Sequence, residues 1–529
     1  MLEWSGSDEQ HRIVPEARGD WRARGASARR RATAAPVRAG APSAVRVVVI
    51  GAGIGGLVAA QALARAGLAV EVLEAHLYPG GLAGSFYHRG YRFDAGATLL
   101  AGFAPGGPLR VLEQRLGLRL PVQPLPAGYP LLEVLLPGGR VVRPVGRAQE
   151  RAAQAAYFGP RVLPFWQWQA RRAAVLWRLA PALPFPPEDL ADLQQLVALA
   201  PRLLPLLPDL WRRLHCYAPA DAEFLRFLDA QLLIAAQADA WHTYALYGAA
   251  ALDLPHRGAV LPQGGMGRVA EALAAGLAVR YRARAERLLL RGGRAVAVEV
   301  VYTGRRRGQR EQLAADLFVV DVPLEPLLGR PLHPPRDAWG AFVVHGVLPF
   351  VAPPPYYRQN ARERPFAFLT LRPEGAKTVF SLSLHAPLGL FDRLSLEEYR
   401  EYKARWHARA LALGEALLPG LRDAEWTLAG TPRTYARFAG RAWVGGYPQT
   451  HPFRFGRVRP FANVYAVGER IFPGQSVPAV ALGGLRVADK ILRQLADGAP
   501  PRVGDYGNSR HAAAAATGGE GGGGHGDPG

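Results

Sequence analysis

Residues 45–75 read Val-Arg-Val-Val-Val-Ile-Gly-Ala-Gly-Ile-Gly-Gly-Leu-Val-Ala-Ala-Gln-Ala-Leu-Ala-Arg-Ala-Gly-Leu-Ala-Val-Glu-Val-Leu-Glu-Ala, and this stretch decides the fold. Residues 45–50 are apolar and β-branched apart from one arginine, the pattern of a strand buried on both faces of a parallel sheet. Gly51, Gly53 and Gly56 follow at G-x-G-x-x-G spacing, with Gly55 beside the last. An Ala/Leu-rich run then predicts a helix as far as Gly67, and a second short strand, 69–73, ends at Glu74.

Each glycine has a separate task. Gly51 turns the chain sharply out of the strand, Gly53 lets backbone amides approach an anion, and Gly56 lets the helix lie close to the sheet. The helix N-terminus adds partial positive charge. Glu74 stands where a carboxylate accepts from ribose hydroxyls. Strand, glycines, helix, second strand and acid in this order predict a dinucleotide site. Pro79-Gly80-Gly81 follows at once, then Tyr91-Arg92-Phe93-Asp94-Ala95-Gly96-Ala97-Thr98. A Gly-Gly pair presents consecutive amides to anionic oxygen.

At 529 residues the chain is too long for one core and predicts two or three interwoven domains. Its formal charge of +21 comes almost wholly from arginines spread along the chain. No aromatic-interleaved basic patch accompanies them, which argues against a nucleic-acid partner and leaves anionic lipid head groups as a match. One cysteine, Cys216, excludes an internal disulfide and any multi-cysteine metal site. It lies in an apolar stretch and reads as packing, and no metal is expected.

Residues 1–44 lack any apolar period and carry acids among their arginines, so they read as a disordered basic extension without a signal peptide. Residues 503–529 read as a Gly/Ala-rich tail. From 105 to 144, short apolar runs between Gly and Pro turns predict small antiparallel strands. Residues 151–250 are very apolar at largely helical spacing, with Trp, Leu, Arg and Pro interspersed. No window holds about 20 uninterrupted apolar residues, so no transmembrane helix is expected. The stretch 160–215 suits either an ordinary helical cap or an amphipathic element dipping into one leaflet. Residues 259–323 return to α/β, with Pro262-Gln263-Gly264-Gly265-Met266 opening a helix at 268–277 and paired strands at 284–291 and 295–302. Near the end, a buried strand runs into Gly468-Glu469, a Pro-Gly turn follows, and Ser476-Val477-Pro478 opens a helix to about 495.

These motifs resemble the flavin amine-oxidase and phytoene-desaturase superfamily. Within it, Phe472-Pro473-Gly474-Gln475-Ser476-Val477-Pro478-Ala479-Val480, the Pro-Gln-Gly-Gly-Met segment and Thr431-Pro432-Arg433-Thr434-Tyr435 are similar to the FAD-dependent carotenoid desaturase and isomerase family. The likeness is greatest to the cyanobacterial-type C-3′,4′ desaturases and carotenoid isomerases. It covers most of residues 45–495. It implies an α/β fold with a Rossmann-type FAD-binding domain interleaved with a mixed-sheet and helical substrate domain. The nucleotide domain would comprise 45–104, 259–329 and 438–502, and the substrate domain 105–258 and 330–437. It implies non-covalent FAD held at Gly51, Gly53, Gly55, Gly56, Glu74, Gly80, Gly81, Gly96, Ala97, Thr98, Gly468, Glu469, Ser476 and Val477. Relatives carry Gly-Asp where this chain has Gly468-Glu469, which keeps the charge and lengthens the side chain.

The implied activity is that of an oxidoreductase of carotenoid biosynthesis, desaturating or isomerising a long polyene by hydride transfer to flavin, with oxygen or a quinone as electron acceptor. The implied location is cytoplasmic, on a peripheral membrane surface. The residues identify no catalytic acid or base, and His242, His345 and His385 are weak candidates. A flavin amine oxidase acting on a soluble amine and a non-enzymatic isoprenoid-binding protein are the alternatives.

Overall fold

The structure is a computed structural model that describes residues 45–335, 338–391, 393–444, 451 and 454–498. The extension at 1–44 and the tail at 503–529 lie outside the described residues. A five-stranded parallel sheet forms the centre, in the order Val464–Ala466, Leu317–Val320, Arg46–Ile50, Ala69–Leu73, Ala278–Arg280. The first helix, Ile54–Arg65, covers one face of it. A three-stranded antiparallel sheet, Ala283–Arg291, Arg294–Tyr302 and Arg310–Ala314, covers the other through Leu288, Val298 and Val300. The closing helix, Val477–Ala496, lies against the first, and a Cβ on Gly484 would come 2.5 Å from the Gly55 carbonyl. A glycine there is what permits the two backbones to touch.

A second, eight-stranded sheet gathers segments distant in sequence. Its order is Trp426–Gly430, Trp339–Leu348, Lys377–Ala386, Ala367–Glu374, Tyr357–Asn360, Pro130–Leu136, Gly139–Pro144, with Trp443–Val444 beside Trp339–Leu348. Tyr357–Asn360 and Pro130–Leu136 run parallel, and the other pairs run antiparallel. Helices Arg147–Phe158, Leu163–Leu179 and Ala222–Ala235 pack at this end around Phe158, Phe165, Trp166, Phe224 and Phe227.

Two expectations are corrected. The region 105–144 is not all strand, because Pro108–Leu116 is a helix. Leu109, Leu112 and Leu116 are buried at helical spacing, Pro108 opens the helix and Gly117 closes it in the left-handed conformation. Cys216 is exposed, its Sγ 3.6 Å from His215 Nε2, so it does not serve as packing. Leu190–Asp209 is long and apolar enough to cross a membrane by length and composition alone, with mean hydropathy 1.2 over its most apolar 18 residues. Asp192, Pro201, Arg202, Pro205 and Pro208 interrupt the apolar run, so the segment holds no uninterrupted window of about 20 apolar residues.

Candidate functional site

The strand Arg46–Ile50 sits between Ala69–Leu73 on one side and Leu317–Val320 on the other, so the chain leaves it in opposite directions. Such a reversal opens a crevice at the carboxyl ends of the strands, where ligands of open α/β sheets bind. Gly51 turns there with φ +100°, and a Cβ on it would press on Val322 at 2.9 Å. Gly53 caps the first helix, and Gly80, itself left-handed, bridges to it. Gly81 lies against Gly53 as well, since a Cβ on it would sit 3.7 Å from the Gly53 Cα. Both glycine turns therefore meet at one helix N-terminus.

Glu74 is buried at the end of its strand. Its Oε2 accepts from the Ala52 amide at 2.9 Å, and its Oε1 from the His76 amide at 2.8 Å. A carboxylate has about four lone-pair positions, so it retains acceptors for a ribose while these bonds orient it.

Gly96, Ala97 and Thr98 form a loop pinned by groups far away in sequence. Tyr435 donates its hydroxyl to the Ala95 carbonyl at 2.9 Å, and Tyr357 donates to the Thr98 carbonyl at 3.0 Å. Asp94 Oδ1 accepts from the Met266 amide at 2.9 Å and from Ser85 Oγ at 2.8 Å. Three motifs separate in sequence, Phe93-Asp94, Gly264-Gly265-Met266 and Thr431–Tyr435, thus converge on one loop.

Gly468 follows the last parallel strand with φ +98°, its amide 3.1 Å from where a Cβ on Gly55 would lie. Glu469 is ion-paired with Arg441. Ser476 caps the closing helix by accepting from the Ala479 amide at 3.3 Å, and Val477 begins that helix.

One continuous cavity of about 2470 Å³ joins these parts and is lined by every one of the fourteen predicted site residues except Gly56. Gly56 stands behind it, where a Cβ would collide with the Gly51 carbonyl at 2.5 Å. The cavity continues over the eight-stranded sheet, where Ser381, Ser383 and His385 alternate along one strand opposite His345. His345 donates to or accepts from Ser381 Oγ at 2.8 Å, and His385 pairs with Gln237 at 2.6 Å. Burial lowers His345 to about 3 and His385 to about 4, so both are neutral at ordinary pH. His242 does not line the cavity and is bonded to Asp239.

The sequence reading missed Asp321, Tyr357, Tyr435 and Arg441. Asp321 carried a signal, being the polar residue directly after the buried strand Leu317–Val320. Tyr435 stood in the Thr431–Tyr435 motif without a role, because its partner Ala95 is 340 residues away; Tyr357, 259 residues from Thr98, and Arg441, 28 residues from Glu469, carried no signal.

The donor set fits a flavin dinucleotide: two glycine turns at a helix N-terminus, a buried acid at the adenosine end, and glycines whose replacement would fill the cradle. A family model described as flavin containing amine oxidoreductase matches residues 54–350. Prolycopene isomerase of Arabidopsis thaliana is 28% identical over 89% of this chain and 86% of its own. Phytoene dehydrogenase of Streptomyces griseus is 28% identical over 84% of this chain and 94% of its own. Among solved structures, cyclohexylamine oxidase from Brevibacterium oxydans aligns with a TM-score of 0.53 at 16% identity, over 86% of this chain and 99% of that one, a likeness of fold. The family match over more than half of the chain, resting on a complete dinucleotide crevice, means that this protein belongs to the flavin-containing amine oxidoreductase family and is an FAD-dependent oxidoreductase.

Proposed function

We propose that this enzyme acts on a carotenoid or similar long polyene, desaturating or isomerising it. One observation carries the reading. The full-length likeness is to prolycopene isomerases and a phytoene dehydrogenase, and it extends through the substrate half of the chain as well as the nucleotide motifs. The cavity supports it, since about 2470 Å³ far exceeds the few hundred to about 1,000 Å³ that suffices for one ordinary ligand. A dinucleotide and a long chain fit in it together.

FAD supplies a two-electron, hydride-accepting centre when bound. The protein's own groups bind and orient. Glu74 would hold the adenosine ribose, the amides of the two glycine turns would hold the pyrophosphate, and the loop 96–98, fixed by Tyr357 and Tyr435, would support the ring system. A hydrocarbon offers no polar handle, so the wall of the cavity selects by length and shape, at about 25 cal/mol per Å² buried. His345 and His385, held neutral by burial, put no charge on that wall.

The test is to supply phytoene and prolycopene in liposomes, with and without a quinone, and to follow absorbance and chromatograms. New conjugation that requires quinone or oxygen identifies a desaturase, and a geometric change without an acceptor identifies an isomerase. Turnover of soluble amines with no pigment change would overturn the polyene reading.

Glu74→Ala is expected to weaken FAD binding by about 1–3 kcal/mol, the value of charge-assisted bonds to ribose hydroxyls plus the lost order at Ala52 and His76. Equilibrium titration with FAD checks it, and an unchanged dissociation constant would place the ribose elsewhere.

The enzyme's proposed location is a membrane surface, since a polyene partitions into bilayers. The helix Leu190–Leu203 packs Leu196, Leu199 and Leu203 onto Leu179, Leu183 and Phe472. Its opposite stripe, Leu190, Leu193 and Val197, continues through Leu204 and Leu207 to Trp211, all exposed. Lys490 of the closing helix binds Asp192 at 2.7 Å and Asp189 at 3.2 Å, which ties the start of the helix to the folded body. That attachment favours lying in one leaflet over crossing the bilayer.

A further inference from the structure

A carboxyl group stands where the nucleotide's own negative charge has to be accommodated. Asp321 follows Leu317–Val320 directly, in the crevice between that strand and Arg46–Ile50, and its amide donates to the Ile50 carbonyl at 2.8 Å. Its Oδ2 accepts from the Gly56 amide at 2.8 Å, in the first turn of the helix Ile54–Arg65. A Cβ on Gly53 would collide with Oδ2, and one on Gly468 would come 2.7 Å from Oδ1. The carboxyl is thus wedged between the first and last glycine turns, at the helix terminus on which the pyrophosphate of a Rossmann-type site rests.

The charges that face it are of the same sign. Glu74 lies at the end of Ala69–Leu73, and Glu469 follows Val464–Ala466. Glu469 is paired with Arg441, and Glu325, in the turn after Asp321, is paired with Arg470 at 2.7 Å. Burial pushes the Asp321 carboxyl up to about 7, against the pull of the Gly56 amide and with a further push from Glu74 and Glu469. An added diphosphate brings more negative charge to the same buried spot, which favours the neutral acid further.

We propose that Asp321 is a positioning residue for FAD that enters the complex as the neutral acid, keeping its proton and donating a hydrogen bond to a pyrophosphate oxygen, so that FAD binding takes up one proton. The balance is simple: ionised protein, one proton and FAD give the protonated complex, with no covalent or redox change. The sign follows from the phosphates raising the carboxyl's pKa. At a pH above the free protein's value but below that of the complex, the group is ionised free and neutral bound. Affinity therefore falls about tenfold for each pH unit of rise across that window, and levels off below it.

The experiment strips the full-length protein of FAD and titrates it back between about pH 6 and 9 by fluorescence. Calorimetry at about pH 8 in two buffers of different ionisation heat counts the protons taken up. Wild type is expected to lose affinity about tenfold per unit above neutrality and to take up close to one proton. Asp321→Asn, which keeps shape and removes the titrating group, is expected to give a flat profile and to bind more tightly than wild type at the alkaline end. A flat wild-type profile with no proton uptake overturns the proposal, as does a variant that keeps the wild-type slope. Should Asp321→Asn fail to fold, the proton count on wild type decides. Failure of wild type to bind FAD at every pH would overturn the cofactor assignment itself, a result distinct from binding without proton uptake.

Discussion

Gly53→Val is expected to give a folded but colourless protein. Gly53 has φ −70° and ψ 171°, an extended conformation that valine adopts readily, so the substitution strains no backbone. Its effect is on space. A Cβ at this position would collide with Asp321 Oδ2, and the two γ-methyls would enter the gap between the glycine turns. Gly80 bridges to Gly53 and Gly81 lies beside it, so the added atoms have nowhere to retreat. The amides at the start of the first helix then lose their close approach to the pyrophosphate, and with it the helix-terminus contribution to binding. A loss of about 4 kcal/mol, roughly a thousandfold in the dissociation constant, is expected. The measurements are the flavin absorbance of the purified variant and titration with added FAD, alongside circular dichroism to verify folding. A folded, yellow variant with wild-type affinity would show that the pyrophosphate does not pass Gly53.

Replacing Leu193, Val197, Leu204, Leu207 and Trp211 together by serine or glutamine is expected to abolish flotation with neutral liposomes and to leave only weak, salt-sensitive flotation with anionic ones. Val197 is 72% exposed, Trp211 62% and Leu204 60%, so these side chains contribute little to the protein's own core. The packed face of the same helix, through Leu196, Leu199 and Leu203, is untouched by the change. At about 1 kcal/mol for each partly immersed side chain, the variant forfeits about 5 kcal/mol, more than a thousandfold in partitioning. Arg202 and Arg212 are exposed within and beside the stripe in sequence, Arg171 and Arg178 are exposed on the helix Leu163–Leu179, and these charges give a second, salt-sensitive contribution on anionic lipid. Wild-type binding should therefore weaken in high salt yet persist, because screening acts on head-group attraction and not on apolar burial. The variant should bind anionic vesicles weakly at low salt and neutral vesicles not at all. Wild-type flotation by the variant would mean that this stripe is not the membrane contact. Wild-type protein that never floats, yet converts a polyene supplied in liposomes, would refute surface attachment altogether.

The nucleotide half of the site was legible from residues because its parts are local. Strand, turn, helix and acid occupy 46–74 without a break, and glycines are demanded by backbone geometry that no neighbour can supply. The closing strand and helix, Val464–Ala466 and Val477–Ala496, were legible for the same reason. The helix Pro108–Leu116 was also written in the sequence, in its apolar spacing and its Pro and Gly ends, and was obscured by the turn residues around it. What no local pattern carries is pairing between distant segments. Pro130–Leu136 pairs with Tyr357–Asn360 across about 220 intervening residues, and strand register is set by the faces that are buried. The contacts of the Tyr357 and Tyr435 hydroxyls and the wedging of Asp321 between Gly53 and Gly468 arise in the same way. The sequence by itself determined that a flavin dinucleotide has a cradle in this chain. Tertiary structure decided which charges face it, because burial and like-charge proximity are properties of three-dimensional packing and have no period along the chain.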